Sequence, residues 1–325
     1  MKVLITGGAG FLGRRLARKL IERGTLKGTD GRDLAIGEIV LLDIVPAEGF
    51  ADPRVRTIVG DISDAALVNR AVDRDTASVF HLAAIVSAQA EADFDLGVRI
   101  NIDASRALLE ACRAAGHKPR VLFTSSVAVY GGDLPETVPE STALSPQSSY
   151  GTQKAIGELL VSDYSRKGYI DGRVLRLPTI SVRPGKPNKA ASSFASGIIR
   201  EPLNGEPSTC PVSPGTRVWL LSPRKAIDGL ILGHDLPAQA LGASRVINLP
   251  GVRVTVREMV AALERVAGAD VAKRVRWERD PALDRIVSSW PGAWDARRAE
   301  ALGFQGDADF DSIIRAYIED ERPTR

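Results

Sequence analysis

Residues 2–13 read Lys2-Val3-Leu4-Ile5-Thr6-Gly7-Gly8-Ala9-Gly10-Phe11-Leu12-Gly13. Val3, Leu4 and Ile5 are apolar without alternation, which is the pattern of a strand buried on both faces in a parallel sheet. After Gly13 a helical spacing runs through Leu16, Leu20 and Ile21 and stops near Gly24. Gly7, Gly10 and Gly13 lie between strand and helix. That placing suits a turn whose backbone N–H groups approach a pyrophosphate, with the positive end of the helix toward the anion. Gly13, inside the helix, lets it pack close on the strand. A glycine triplet alone says little; between a strand and a helix it points to a dinucleotide.

Outward from this turn the pattern repeats. Glu38–Leu42 is a second apolar strand, ending in Asp43. A carboxylate there suits the two ribose hydroxyls of an adenosine and repels a 2′-phosphate, which favours NAD over NADP. Asp43 comes thirty positions after Gly13, further than the usual ~20 residues. The polar, aperiodic stretch Thr25–Gly37 reads as an inserted surface loop that absorbs the difference. Arg56–Ile62 is a third strand, carrying Asp61 within reach of an adenine amino group with Ile62 beside it. Ser78–Ala84 is a fourth, its end at Leu82, Ala83 and Ala84 small enough to lie against a cofactor. Asn101–Ala115 has helical spacing, and Arg120–Ser126 is a fifth strand delivering hydroxyls at its C-terminal end. Ligands of parallel sheets sit at that end. The fold class is therefore α/β, a doubly wound parallel sheet of the Rossmann type. Residues 1–180 are expected to form it, with a returning segment near 217–250. A smaller substrate-binding lobe is expected from 181–216 and 251–325.

Bulk composition narrows the classes. The chain has 325 residues, 44% hydrophobic and 26% charged, with a net charge of +3. These values are ordinary for a globular protein, and the charge is too small to argue for nucleic acid or an acidic membrane. No apolar run approaches the ~20 residues of a membrane span. Cys112 and Cys210 are too few for a disulfide framework, and His81, His117 and His234 lack metal-ligand spacing. The expected setting is cytoplasmic, with no metal. His81, within an apolar strand, is expected to be a core or hydrogen-bonded histidine and not a base.

The chemistry is concentrated in Ser148-Ser149-Tyr150-Gly151-Thr152-Gln153-Lys154. Tyr150 and Lys154 are four apart, so on a helix they share a face with Cβ atoms about 5–6 Å apart. A neighbouring ammonium favours the phenolate, drawing a pKa of roughly 10 toward neutrality. Such a phenolate can serve as general base on an alcohol.

With Ser126 emerging from a strand end before this pair, the chain resembles the extended short-chain dehydrogenases/reductases of the NAD-dependent epimerase/dehydratase family. The resemblance rests on Thr6–Gly13, Asp61-Ile62, His81–Ala84, Thr124–Ser126, Val129–Gly131, Tyr150–Lys154 and Arg176–Ile180. It implies NAD as cofactor, Tyr150 as acid/base, and Lys154 on the nicotinamide ribose. Ser126 would hydrogen-bond the reacting oxygen. Asn101, Leu177 and Thr179, with Phe11 and Leu12 of the turn, are implied to line the cofactor. Tyr130 is read as a wall or packing residue.

The substrate site is expected after residue 180. Arg183, Lys186 and Lys189 are three cations among glycine and proline, as in a binding loop. Arg217 aligns in order with a family arginine that meets a pyrophosphate. Arg183 and Arg217 are candidates for a substrate anion, with surface charge as the alternative for both; Thr179 is a further substrate candidate, and Lys186 and Lys189 read as solvated. The family's dehydratases carry an acidic pair after the serine, but Val127 and Ala128 stand here. A 4-epimerase retaining its NADH shares the Ser/Tyr/Lys set. Phe80–Ala92, Ser125–Lys154 and Leu175–Asn188 are most similar to members that oxidise the C2 hydroxyl of a small sugar acid with NAD. A homodimer through helices near 101–115 and 150–167 is also implied.

Overall fold

A computed structural model describes residues 1–185, 191–288 and 290–321. Seven strands make the central sheet: β1 (Lys2–Thr6), β2 (Glu38–Asp43), β3 (Val55–Val59), β4 (Thr76–His81), β5 (Arg120–Ser126), β6 (Asp171–Leu177) and β7 (Val246–Asn248). Their spatial order is β7-β6-β5-β4-β1-β2-β3. β1 pairs in parallel with β2 and β4, β2 with β3, and β4 with β5. The order reverses at β1, so the crevice beyond the ends of β1 and β4 is the switch point where such sheets take ligands.

Leu4, Val40, Leu42, Val79 and Val121 belong to one buried cluster. Val3, Ile5, Ile39 and Leu41, alternating with them, are equally buried. Both faces of the sheet are therefore covered, which is why these strands read as unbroken apolar runs. α1 (Phe11–Arg23) follows β1. α2 (Ala104–Ala115) continues a π-helical turn, Val98–Asp103, so the helix expected from Asn101 begins irregularly. α3 (Ser149–Arg166) carries Tyr150 and Lys154. The strands expected to run to Ile62 and Ala84 stop at Val59 and His81. Beyond those points the chain is a loop facing the switch point.

Thr25–Gly37 is not the aperiodic loop expected. Thr25–Lys27 and Asp33–Ala35 pair antiparallel, with Leu26 fully buried. Three-residue strands are too short to show a period of two. Arg120 donates to the carbonyls of Lys27 and Gly28 at 3.0 and 3.2 Å, and the Lys27 N–H donates to Asp235 at 3.0 Å, which pins the hairpin.

The chain divides into two compact units. The first is Met1–Val129, Pro146–Arg176 and Ile227–Ile247; the second is Tyr130–Ser145, Leu177–Ala226 and Asn248–Arg325. The returning segment is thus shorter than 217–250. Arg217–Leu221 pairs within the second unit, parallel to Thr179–Ile180 and antiparallel to Val252–Thr255. The second unit's core gathers Ile198, Leu220, Met259, Leu263 and Ile314 around α4 (Phe194–Leu203), α5 (Val256–Ala267) and α6 (Phe310–Glu321). Among the described residues no helix is long and apolar enough to cross a membrane.

Candidate active site

The glycine turn is built by close approach. A Cβ on Gly13 would lie 2.3 Å from the Gly7 carbonyl oxygen, so only glycine lets α1 start so near the turn. Gly10, extended at φ −67°, precedes α1, which has no side-chain cap and no carboxylate in its first turn. The first-turn N–H groups therefore face outward as donors at the positive end of the helix. Asp43 stands beside them: one carboxylate oxygen accepts from Ala9 N–H at 3.0 Å, the other from Ile44 N–H at 2.8 Å. Asp61 is held ionised, its carboxyl lowered mainly by the Ser63 N–H. Ile62 is buried. Leu82 and Ala83 join the turn through N–H bonds to the Thr6 carbonyl and hydroxyl, at 3.2 and 3.3 Å. This donor set, with a carboxylate beside it, fits a dinucleotide bound across the switch point.

α3 is capped by Ser148, whose hydroxyl accepts from Gly151 N–H at 3.1 Å. A Cβ on Gly151 would lie 2.2 Å from the Ala128 carbonyl. The start of α3 thus closes against the end of β5, where Ser126 accepts from Ala128 N–H at 3.1 Å. Lys154 is buried and donates to the Thr124 carbonyl at 2.8 Å. Its ammonium lies 4.7 Å from the Phe123 ring centroid and 5.7 Å from that of Tyr150. Burial lowers its pKa to about 8, opposed by the charge of Glu158. The four-residue spacing does bring amine and phenol together.

The sequence matches the NAD dependent epimerase/dehydratase family over residues 3–219. The chain belongs to that family. It is 65% identical to the D-erythronate dehydrogenase of Cupriavidus necator, covering 98% of each chain. Identity to the D-erythronate dehydrogenase of Haemophilus influenzae is 47%, over 98% of this chain and 99% of that one. A solved structure described as the nucleoside-diphosphate-sugar epimerase of Agrobacterium tumefaciens superposes with a TM-score of 0.94 at 42% identity, covering 99% and 94% of the two chains. With two dehydrogenases this similar over nearly the full length, the protein is an NAD-dependent dehydrogenase of that family, with NAD as its cofactor.

Other expected family residues are distributed unevenly. Asn101 is buried in the π turn: it accepts from Ile85 N–H at 2.8 Å and donates to the Ile85 carbonyl at 3.0 Å and to Gln153 at 2.7 Å. Ala84 is half-buried in the loop after β4. In the second unit, Thr179 and Leu177 are half-buried, and Arg183 donates through Nε to the Ile180 carbonyl at 3.1 Å. Arg217 is exposed and paired with Glu136 at 3.2 Å, and Arg253 shares the same carboxylate. Trp290 packs on the second unit's core. Lys186 and Lys189 lie outside the described residues.

The reading from sequence missed a buried ionic cluster beside the Ser/Tyr/Lys set. Glu158 accepts from Arg176 at 2.8 and 2.6 Å and from the Ser125 hydroxyl at 2.5 Å, all three buried. It ties α3, β5 and β6 together one residue from Ser126 and one turn from Lys154. Its signal was available: Glu158 follows Lys154 by four, and Arg176 is a charge inside a strand otherwise due to be buried.

Proposed function

We propose that the protein oxidises the C2 hydroxyl of D-erythronate to 2-oxotetronate with NAD. The observation that carries this is near-full-length identity to two D-erythronate dehydrogenases, 65% and 47%. Tyr150 and Lys154, close in the structure, supply a chemistry suited to it.

In this reading Tyr150, as phenolate, takes the proton of the C2 hydroxyl. Ser126 donates to the same oxygen and holds it in place. Lys154 keeps the tyrosine anionic by its charge and contacts the nicotinamide ribose. NAD, when bound, would supply the hydride acceptor that turns the C2 alcohol into a ketone, with the hydroxyl proton left on Tyr150. Gly7, Gly10, Phe11, Leu12 and Gly13 hold the pyrophosphate, Asp43 the adenosine ribose, and Asp61 with Ile62 the adenine. Leu82, Ala83, Ala84, Asn101, Leu177 and Thr179 line the remainder. The substrate carboxylate falls to Arg183 or Arg217, either of which can pair with it bidentately, with Thr179 beside it. Dehydration is disfavoured by Val127 and Ala128, which offer no carboxylate.

The protein acts in the cytoplasm as a homodimer through α2 and α3. Leu159 on α3, an aliphatic side chain 66% exposed, supports that surface.

The second reading is a nucleotide-sugar 4-epimerase, favoured by the name of the Agrobacterium tumefaciens structure. Purified protein given NAD and D-erythronate should release free NADH, and UDP-galactose should not be converted. Inversion of a sugar stereocentre with NADH kept on the protein would overturn the dehydrogenase in favour of the epimerase. Arg183→Met and Arg217→Met, compared for KM of D-erythronate, assign the carboxylate.

A further inference from the structure

At the switch point β1 and β4 each end in a buried polar residue that the chemistry above leaves unused. These are Thr6 and His81, paired in register. His81 Nδ1 lies 2.7 Å from Thr6 Oγ1, and Nε2 lies 2.8 Å from Ser105 Oγ. The directions of these bonds follow from one proton count. The Ser105 hydroxyl donates to the Asn101 carbonyl at 2.8 Å. Its only proton is then spent, so it accepts from His81 Nε2–H. A neutral ring protonated there has a bare Nδ1, which accepts from the Thr6 hydroxyl. Thr6 Oγ1 in turn accepts from Ala83 N–H at 3.3 Å. All four bonds point the same way, from the Ala83 amide to the Asn101 carbonyl.

The two ends of this chain lie in segments assigned above to the cofactor. Ala83 is in the loop after β4, and Asn101 is in the π turn that leads into α2. The Asn101 amide extends the connection to both backbone groups of Ile85 and to Gln153, the neighbour of Lys154. A second proton on His81 would make Nδ1 a donor, and the Thr6 hydroxyl would lose its acceptor. Burial, and then the charge of Lys154, hold the ring far below its ordinary range, at about 3.

We infer that His81 is a positioning residue for NAD: as its neutral Nε2–H tautomer it sets the direction of a hydrogen-bond chain that fixes the loop after β4 and the Asn101 turn against the glycine turn. The inference rests on NAD occupying this crevice, not on the identity of the alcohol. A histidine that merely fills the core would affect melting temperature without a selective effect on dinucleotide affinity.

The test uses NADH binding followed by its fluorescence, which needs no substrate. Thr6→Val removes the donor to His81 and the acceptor for Ala83, and Thr6→Ser restores both. Ser105→Ala breaks the other side of the ring and leaves the Thr6–Ala83 bond in place. Thr6→Val and Ser105→Ala should each weaken NADH binding about tenfold. KM for NAD should rise in parallel with kcat little changed, and Thr6→Ser should bind like the parent. Ser105→Ala with parental affinity overturns the inference, even if Thr6→Val is weak, because the effect then stops at Ala83 and does not pass through His81. Nitrogen-15 spectra of the labelled histidines, assigned with His81→Asn, give an independent measure if a variant fails to fold. They should show Nε2 protonated and Nδ1 bare from about pH 5 to 8; the opposite tautomer, or a titrating ring, also overturns it. Absence of D-erythronate turnover would leave all these readings intact.

Discussion

The Lys154 ammonium lies 5.7 Å from the centre of the Tyr150 ring while donating at 2.8 Å to the Thr124 carbonyl. A backbone acceptor thus fixes the amine where its charge can act on the phenol. That charge is itself conditional. Burial has brought the lysine pKa down to about 8, so the ammonium is present below that pH and lost above it. Neutralising it raises the phenol pKa just where a phenolate is wanted. The rate, kcat/KM for the alcohol, should therefore fall above about pH 8 instead of holding a plateau. Lys154→Met should cost on the order of 10²-fold or more in rate and remove that alkaline limb. Initial rates across pH decide it, and a plateau persisting well above pH 8 would contradict the assignment.

The Glu158–Arg176 pair should control both stability and that limb. Glu158 raises the lysine pKa against burial, so Glu158→Gln should move the alkaline limb to lower pH. It also leaves Arg176 buried beside a neutral amide. Breaking one side of a buried pair costs roughly 3–5 kcal/mol, readable by urea unfolding. A limb that moves upward in the variant would rule out the electrostatic role.

Much of this was legible because the relevant residues are consecutive. The apolar run Val3–Ile5 with Gly7, Gly10 and Gly13 prescribes strand, turn and helix locally, and Tyr150 with Lys154 needs only a helical period. The Thr25–Gly37 hairpin was hidden because two three-residue strands leave no period, and its anchors, Arg120 and Asp235, are far away in sequence. Glu158 and Arg176 are likewise joined only by folding, eighteen residues apart on separate elements. Asn101 shows a different limit. Its residue type suits a cofactor contact, but folding commits its amide to Ile85 and Gln153, partners sixteen and fifty-two residues away.

The glycine turn separates a folding role from a binding role. A methyl on Gly13 meets the Gly7 carbonyl at 2.3 Å and the Gly8 Cα at 2.9 Å, so Gly13→Ala should unfold the turn and lower stability. Gly10 is different: its φ of −67° suits any residue, and the closest atom to an added Cβ is the Gly7 oxygen at 3.1 Å. Gly10→Ala should melt within a few degrees of the parent yet bind NADH more weakly, because the methyl would crowd the pyrophosphate proposed to approach there. Equal NADH affinity in Gly10→Ala would remove that residue from the cofactor site.

Two buried histidines should make the protein acid-sensitive well above the range where carboxylates titrate. His81 is held near 3 and His234 near 4, both mainly by burial. His234 bonds Ser78 at 2.8 Å and Asp235 at 2.9 Å and stacks on Phe80 at 5.1 Å. Both folded pKa values lie below the ordinary 6.5, so the unfolded chain binds more protons below that pH. Their contribution is fully present above about pH 6.5 and is lost as pH falls toward 4 and then 3. Each ring costs about 1.4 kcal/mol per pH unit in that window, so the pair should lower stability by about 3 kcal/mol between pH 7.5 and 5.5. Urea unfolding at the two pH values measures this. His234→Gln, with one such ring left, should lose about half of the difference while being less stable at both. Equal stability at the two pH values would mean that the rings are not buried as neutral bases, and would weaken the hydrogen-bond direction assigned to His81 as well.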